Sequence, residues 1–241
     1  MKRYYSKYRS SSLSGKNLFR RNHIETLFKQ FSVNFGKHLP SSKSAAIVDI
    51  GCGAGELVGW LQSRGFTNVY GYDISQEQIN EAKHSFFGEF FCADVLNDDF
   101  NFPMADVFFL RDVLEHFNTD QIDKIFIKLR SRLNPDGQII IQTVNASAHS
   151  GLITFYSDIT HQTCFTERSL SQIIRINLGV TPVFFPWYRL GKSWVSIIAL
   201  YLSRVLGLVR YILTSIEIGS GNKIFTPNLI AVIHIGGKED D

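Results

Sequence analysis

Val48-Asp49-Ile50-Gly51-Cys52-Gly53-Ala54-Gly55-Glu56 decides the reading of this chain. An apolar strand runs into a Gly-x-Gly-x-Gly turn, and the turn opens a helix that begins with Glu56-Leu57-Val58-Gly59-Trp60. Glycines in such a turn permit tight backbone angles and let a ligand approach the main chain closely. A dinucleotide site has the spacing G-x-G-x-x-G, with the helix amides holding a pyrophosphate. Here the third glycine comes one residue early, and Glu56 stands where that pattern would have it. A carboxylate beside a pyrophosphate is repelled, so Asp49 and Glu56 suit a ligand with a ribose and a positive charge but no phosphate.

Outward from this turn, strand-like and helix-like segments alternate. NVYGYDI is followed by SQEQINEAKHSF, then come EFFCADV, ADVFFLRDV, a long amphipathic run through Leu133, and QIIIQTV. Alternation of this kind predicts an α/β domain with a mainly parallel sheet. Asn134-Pro135-Asp136-Gly137 reads as a turn into a strand over Gln138–Val144. Glu167–Leu178 reads as a helix stopped by Gly179, followed by strands at Thr181–Phe185 and Leu229–Ile235. Two further acids fall at strand ends. Asp73 lies 24 residues after Asp49, where a carboxylate can accept both ribose hydroxyls. Asp94 ends the third strand and can take an exocyclic amine of adenine.

On these residues the chain resembles the class I S-adenosylmethionine-dependent methyltransferases. The likeness runs from VDIGCGAGE through GYDIS, CADV and FFLRDVLEH to NPDGQIIIQTVN, over roughly Ala45–Asn145. It implies a Rossmann-like, seven-stranded, mostly parallel sheet with helices on both faces and an antiparallel last strand, and S-adenosyl-L-methionine as cofactor. It further implies that Asp49, Gly51, Cys52, Gly53 and Gly55 line the methionine and ribose side. Asp73 and Ile74 would hold the ribose, Asp94 and Val95 the adenine, and Leu110 and Arg111 would lie beside the cofactor after the fourth strand.

The acceptor side needs alignment, a dry pocket and, for a hydroxyl, a base. Ser157-Asp158-Ile159-Thr160-His161, after the fifth strand, places a histidine three residues past an aspartate. His161 is the expected base with Asp158 orienting its ring, and His116, in Asp112-Val113-Leu114-Glu115-His116, competes for that role. A metal held by Glu115, His116 and His161 has poor spacing, and none is expected. The D-x-T-H…F-T-x-x-S-L segment and Phe225-Thr226-Pro227-Asn228-Leu229-Ile230 also look like bacterial methyltransferases of surface-polysaccharide and lipopolysaccharide pathways. That similarity implies a saccharide or sugar-linked acceptor.

With 241 residues, 44% hydrophobic and 20% charged, the chain is neither disordered, collagen-like nor stapled by disulfides. Its net charge of +3 conceals a split. Residues 1–43 hold ten Lys/Arg against one acid, Glu25, leaving 15 basic and 21 acidic residues elsewhere. The expected organisation is a basic arm and cap helix over residues 1–44, the helix at Asn17–Leu39 closing over the cofactor cleft. The methyltransferase domain then fills 45–241. The arm mixes cations with tyrosines; it reads first as a solvated tail and after that suits an acidic glycan or phosphate-bearing acceptor, an anionic membrane or, last in order, RNA. An RNA methyltransferase and a non-catalytic cofactor-binding protein are the rival readings.

Three cysteines without metal spacing point to a reducing, cytoplasmic setting. Within the 190–218 insertion, Ser193–Glu217 reads as an amphipathic helix, with Ser196, Arg204, Gly207, Arg210 and Thr214 on one face and apolar residues over most of the rest. It either packs on its own domain or a second subunit, giving a homodimer, or lies on a membrane surface at the inner membrane.

Overall fold

A computed structural model describes residues 21–190, 194–219 and 223–236. Most of the basic arm lies outside them, as do residues 17–20 of the expected first helix.

Seven strands form one sheet: β1 (Ile47–Ile50), β2 (Val69–Asp73), β3 (Glu89–Cys92), β4 (Ala105–Arg111), β5 (Leu133–Val144), β6 (Val183–Pro186) and β7 (Asn228–His234). Their order is β3-β2-β1-β4-β5-β7-β6. The first five run parallel, and β7 is antiparallel to both of its neighbours. The helices are α1 (Arg21–Phe35), α2 (Glu56–Ser63), α3 (Gln76–Ser85), α4 (Thr119–Arg132), α5 (Gly151–Tyr156), α6 (Glu167–Leu178) and α7 (Trp194–Ile218).

Strand side chains alternate between two apolar layers. Val48, Phe108, Ile139 and Ile141 meet Ile125 and Phe126 of α4 and Ile174 of α6. Ile47, Phe109 and Ile140 meet Phe31 and Phe35 of α1, Trp60 of α2 and Ile79 of α3. A strand buried on both faces reads as an unbroken apolar run, which is why β1 and β4 stand out in the sequence. Local signals set the helix ends. Asn118 and Gln121 cap α4 reciprocally, Thr166 and Ser169 do so for α6, and Gly179 closes α6 in the left-handed conformation.

Several expectations are corrected. The Asn134–Gly137 turn does not precede its strand but bulges from within it. Leu133 already pairs with Ala105, Gln138 pairs next with Val107, and Asp136 takes φ +61° between them. The short helix α5 carries no long periodic pattern and was not foreseen. The first helix does not close over the cofactor cleft in its described part. Its apolar side, Phe31 and Phe35, packs on Trp60 and Phe109 with ring centroids 5.6–6.4 Å apart, beside α2. That burial draws α1 into the core of the domain. Its polar side grips the chain leading to α7, Asn34 exchanging hydrogen bonds with the Tyr188 backbone at 2.7 and 2.9 Å.

Candidate active site

The carboxyl ends of β1, β2 and β4 open onto a cavity of about 400 Å³ lined by Gly51, Gly53, Asp73, Ile74, Asp94, Val95, Arg111 and His116, among others. Parallel α/β sheets place ligand sites at this edge.

The three glycines serve different ends. Gly51 has φ +69°, and a Cβ there would come within 2.4 Å of Val113. Gly55 has φ +85°, and its Cβ would strike Phe90 at 2.8 Å. At Gly53, with φ +55°, a Cβ would meet nothing within 4 Å, because this glycine lines the cavity itself. Only Gly51 and Gly53 border the ligand space, and Gly55 lets α2 pack close to its neighbours.

Asp73 accepts hydrogen bonds from the backbone N–H of Gly53 at 2.9 Å and of Ser75 at 2.8 Å. Burial raises its pKa while these two amides pull it back. The carboxylate is thereby fixed across the glycine turn, with further lone pairs for ribose hydroxyls. Asp94 accepts from the Leu96 N–H at 3.1 Å beside Val95 on the same cavity wall.

Besides Gly55, three residues expected at the cofactor are placed behind the wall. Leu110 is fully buried in the sheet core, because its side chain points to the layer holding α4. Cys52 is also fully buried, its sulfur against the close backbone of Gly71. Asp49 is 1% exposed, and neither of its oxygens has a hydrogen-bond partner. Burial pushes its pKa up to about 7, against the pull of Arg111 and with Glu56 and Asp73 adding to the rise. An orphaned acid directly behind Gly51–Gly53 fits a cationic ligand on the other side of the turn. Arg111, which lines the cavity, lies over the Phe31 ring at 5.3 Å. Burial lowers its pKa, but Asp112, Glu56 and Asp49 outweigh that effect and hold it above its ordinary value.

On the acceptor side, two loops are stitched together. The N–H groups of Gln162 and Thr163 donate to the Glu115 carbonyl at 2.7 and 3.1 Å, and the Thr163 hydroxyl donates to the Phe117 carbonyl at 2.7 Å. This brings the Asp158–His161 segment onto the turn after β4, and the His116 and His161 rings to 4.8 Å. The expected pairing is nevertheless wrong. Asp158 does not orient His161, whose Nδ1 faces the Phe155 carbonyl at 2.7 Å. Instead Asp158 Oδ1 accepts from the Thr160 hydroxyl at 2.6 Å, and Thr160 Oγ1 lies 2.8 Å from His116 Nδ1. With its one proton committed to the carboxylate, the Thr160 hydroxyl can only accept from His116 Nδ1–H, which puts the lone pair of that ring on Nε2. Burial lowers the His116 pKa, helped by His161 and opposed by Asp158 and Asp112. Burial thus favours the neutral form of the ring.

Of the two histidines, His116 lines the cavity. Thr160 went unnoticed as a partner because its signal is slight: an Asp two residues before a Thr, which forms a local turn through Thr160 N–H donating to Asp158 at 2.9 Å. Phe117, Gln121 and Gln162, also at the cavity, carry no motif. Glu115 is 1% exposed and accepts from the Thr143 hydroxyl at 2.9 Å, so it serves the loop rather than a metal. Among the described residues no group of three or more His, Cys, Asp or Glu is placed to hold a metal ion.

A Rossmann-like sheet of seven strands with a glycine turn and successive strand-end acids defines a class I S-adenosylmethionine-dependent methyltransferase. The chain belongs to the methyltransferase-domain family, whose model matches residues 19–176, and its cofactor is S-adenosyl-L-methionine. Among solved structures, it is similar to a SAM-dependent methyltransferase from Archaeoglobus fulgidus, at 20% identity and TM-score 0.61 over 86% of this chain and 94% of that one. It is also similar to the plantazolicin methyltransferase BpumL in complex with SAH, at 15% identity and TM-score 0.59 over 98% and 95% of the two chains. A third likeness is to the complex of the Haloferax volcanii Trm112 methyltransferase activator with a putative methyltransferase, at 12% identity and TM-score 0.65 over 96% and 99%. No curated relative matches the chain.

Proposed function

We propose that this methyltransferase methylates a hydroxyl oxygen of a saccharide or sugar-linked acceptor in surface-glycan synthesis, with His116 as the general base. The observation that carries this reading is the Asp158–Thr160–His116 chain, which ends on an imidazole at the cavity wall. Bound S-adenosylmethionine supplies an activated methyl on a sulfonium sulfur, a leaving group that needs no acid from the protein. An alcohol is a poor nucleophile until its proton is removed, and His116 Nε2 takes that proton. Asp158, through Thr160, fixes the tautomer and stabilises the charge that forms on the ring. Asp73 and the Gly51–Gly53 turn hold the cofactor in place for an in-line attack.

The lining beside His116 supports a saccharide. The amide ends left over from contacts with the Asn118 N–H and the His116 carbonyl, Gln121 Nε2 and Gln162 Oε1, suit hydroxyls, and Phe117 offers a ring for the apolar face of a sugar. The free thiols of Cys52, Cys92 and Cys164 support a reducing, cytoplasmic setting for the reaction.

The test is incubation of the protein with methyl-labelled cofactor and, separately, a polysaccharide-precursor extract and total RNA. Alkali-stable label in the glycan fraction, absent with His116→Ala, is the expected result. Label in RNA alone would sink the saccharide reading. Tight cofactor binding by calorimetry with no transfer to any extract would make the protein a binding module.

A further inference from the structure

Helix α7 is mounted with its polar side inward. Arg204 lies over the Tyr188 ring at 5.5 Å and Arg210 over the Phe225 ring at 5.7 Å, while Gly207 faces Phe225 closely enough that a Cβ would sit 3.7 Å from it. The apolar side is turned away from the domain. Leu202, Val205, Val209, Leu213 and Ile216 are each between 44% and 76% exposed. An amphipathic helix docked on its own domain shows the opposite arrangement, so the packing of this helix on its own core is overturned for its apolar face. A contiguous exposed apolar surface of this kind marks an interaction site.

We infer that the apolar side of α7 seats the enzyme on an anionic lipid bilayer surface, lying in the interface without crossing it. Among the described residues no helix is long and apolar enough to cross a membrane. At about 100° per residue the exposed apolar side spans roughly 160°, from Leu208 round to Leu206, wider than the narrow seam that a paired helix needs. Tyr201 and Tyr211, both exposed, lie at the Leu208 margin of that side, where an amphipathic ring meets the headgroup layer.

Charge points to the same occupant. Arg204 and Arg210 are turned to the domain, but residues 187–193, just ahead of the helix, contain Arg189 and Lys192 and no acid. Residues 1–20 contain Lys2, Arg3, Lys7, Arg9, Lys16 and Arg20 and no acid. That arm joins α1 at Arg21, about 14 Å of helix from Gln30, whose side chain accepts from the Leu190 N–H at 2.8 Å just ahead of α7. A basic sequence therefore leads into the helix whose Gln30 binds the chain just ahead of α7, and anionic lipid attracts such sequences.

Placement gives the docking a purpose. Strand β6 ends at Pro186, paired with Leu229, and β7 begins at Asn228, paired with Val144 at the end of β5. The segment carrying α7 therefore leaves and rejoins the sheet at the edge that bears Asp73 and His116. On that same edge α5 and its loop expose Leu152, Ile153, Tyr156 and Ile159, at 60–83%. Two apolar patches on segments attached at the edge that carries the cavity suit an acceptor carried in the membrane. The docking itself does not rest on the saccharide reading, because its test involves no methyl transfer.

The experiment is co-flotation of the full chain with phosphatidylcholine vesicles, with and without phosphatidylglycerol. About tenfold more protein is expected to float with the anionic vesicles, falling as salt rises. The double variant Leu202→Glu/Leu213→Glu, at exposed positions away from the Arg204, Gly207 and Arg210 contacts, is expected to lose flotation while keeping cofactor affinity and thermal midpoint. Undiminished flotation of that variant would overturn the proposal. So would absence of the wild type from both vesicle types, and a wild-type dimer dissociated by the same substitutions would then assign the face to a second copy of the chain.

Discussion

The two sides of the catalytic edge are held together in different ways. On the cofactor side, the decisive bonds join backbone to side chain across adjacent parallel strands, as where Gly53 N–H reaches Asp73. Their geometry follows once β1 and β2 pair in register. On the acceptor side, His116 and Thr160 are 44 residues apart and meet only because side chains and loop amides bind one turn to another. The first side is a rigid frame shared by any sheet of this order. The second can be re-cut by changing a few loop residues without disturbing the frame, and there specificity is free to vary.

The sharpest way to break this division is His116→Ala. Loss of a general base should lower kcat by about 10²–10⁴, with the affinity for S-adenosylmethionine within a few-fold of wild type. His161→Ala should leave kcat within about threefold, because His161, unlike His116, does not line the cavity. If the two variants exchange these effects in steady-state assays, the base is His161 after all.

Asp73→Ala probes the other side. A hydrogen bond to a charged group contributes about 1.5–3 kcal/mol, so cofactor affinity by calorimetry should fall about tenfold to a hundredfold. Single-turnover chemistry at saturating cofactor should change much less. Unchanged affinity would remove Asp73 from the ribose.

Thr160 tests how the acceptor side is wired. Thr160→Val keeps the shape but cuts the link from Asp158 to His116, and kcat should fall about tenfold with a shifted acidic limb in its pH profile. Thr160→Ser should restore both. Equal loss in the two variants would mean that Thr160 only fills space at its buried position.

How much could be read beforehand follows the same division. Strand β1, the glycine turn and Asp73 were legible because their signals are local: an apolar run, a turn that demands glycine, an acid at a strand end. Helix α6 was legible from Thr166 to Gly179 because caps are local too. Asp49 was misassigned to the cavity wall since strand alternation turned it under the turn, which motif spacing does not reveal. The Asp158–His161 pairing failed for a related reason. Proximity in sequence favoured it, but a three-residue interval across a turn did not bring the carboxylate to that ring. The outward apolar side of α7 was likewise hidden, since periodicity defines two faces of a helix but not which one meets the domain.

A last effect, read in stability rather than in turnover, separates the two sides through one buried acid from each. Burial raises Asp49 from its ordinary 3.8 to about 7 and Glu115 from 4.5 to about 8. Between those limits the folded chain holds protons on these two acids that the unfolded chain has released, a loss of stability with rising pH that outweighs the opposing gain from His38, held down to about 4 by burial. The ligand-free protein should therefore melt at a lower temperature at about pH 8 than at about pH 5. Asp49→Asn and Glu115→Gln should each flatten part of that slope. A cation bound across the Gly51–Gly53 turn favours the ionised form of Asp49, so saturating S-adenosylmethionine should remove the Asp49 share from the wild type and leave the Glu115 share intact. Calorimetric scans of the three proteins with and without cofactor measure both shares. If the cofactor erased the Glu115 share as well, the acceptor loops would be coupled to the cofactor frame, and the two sides of the edge would have to be treated as one.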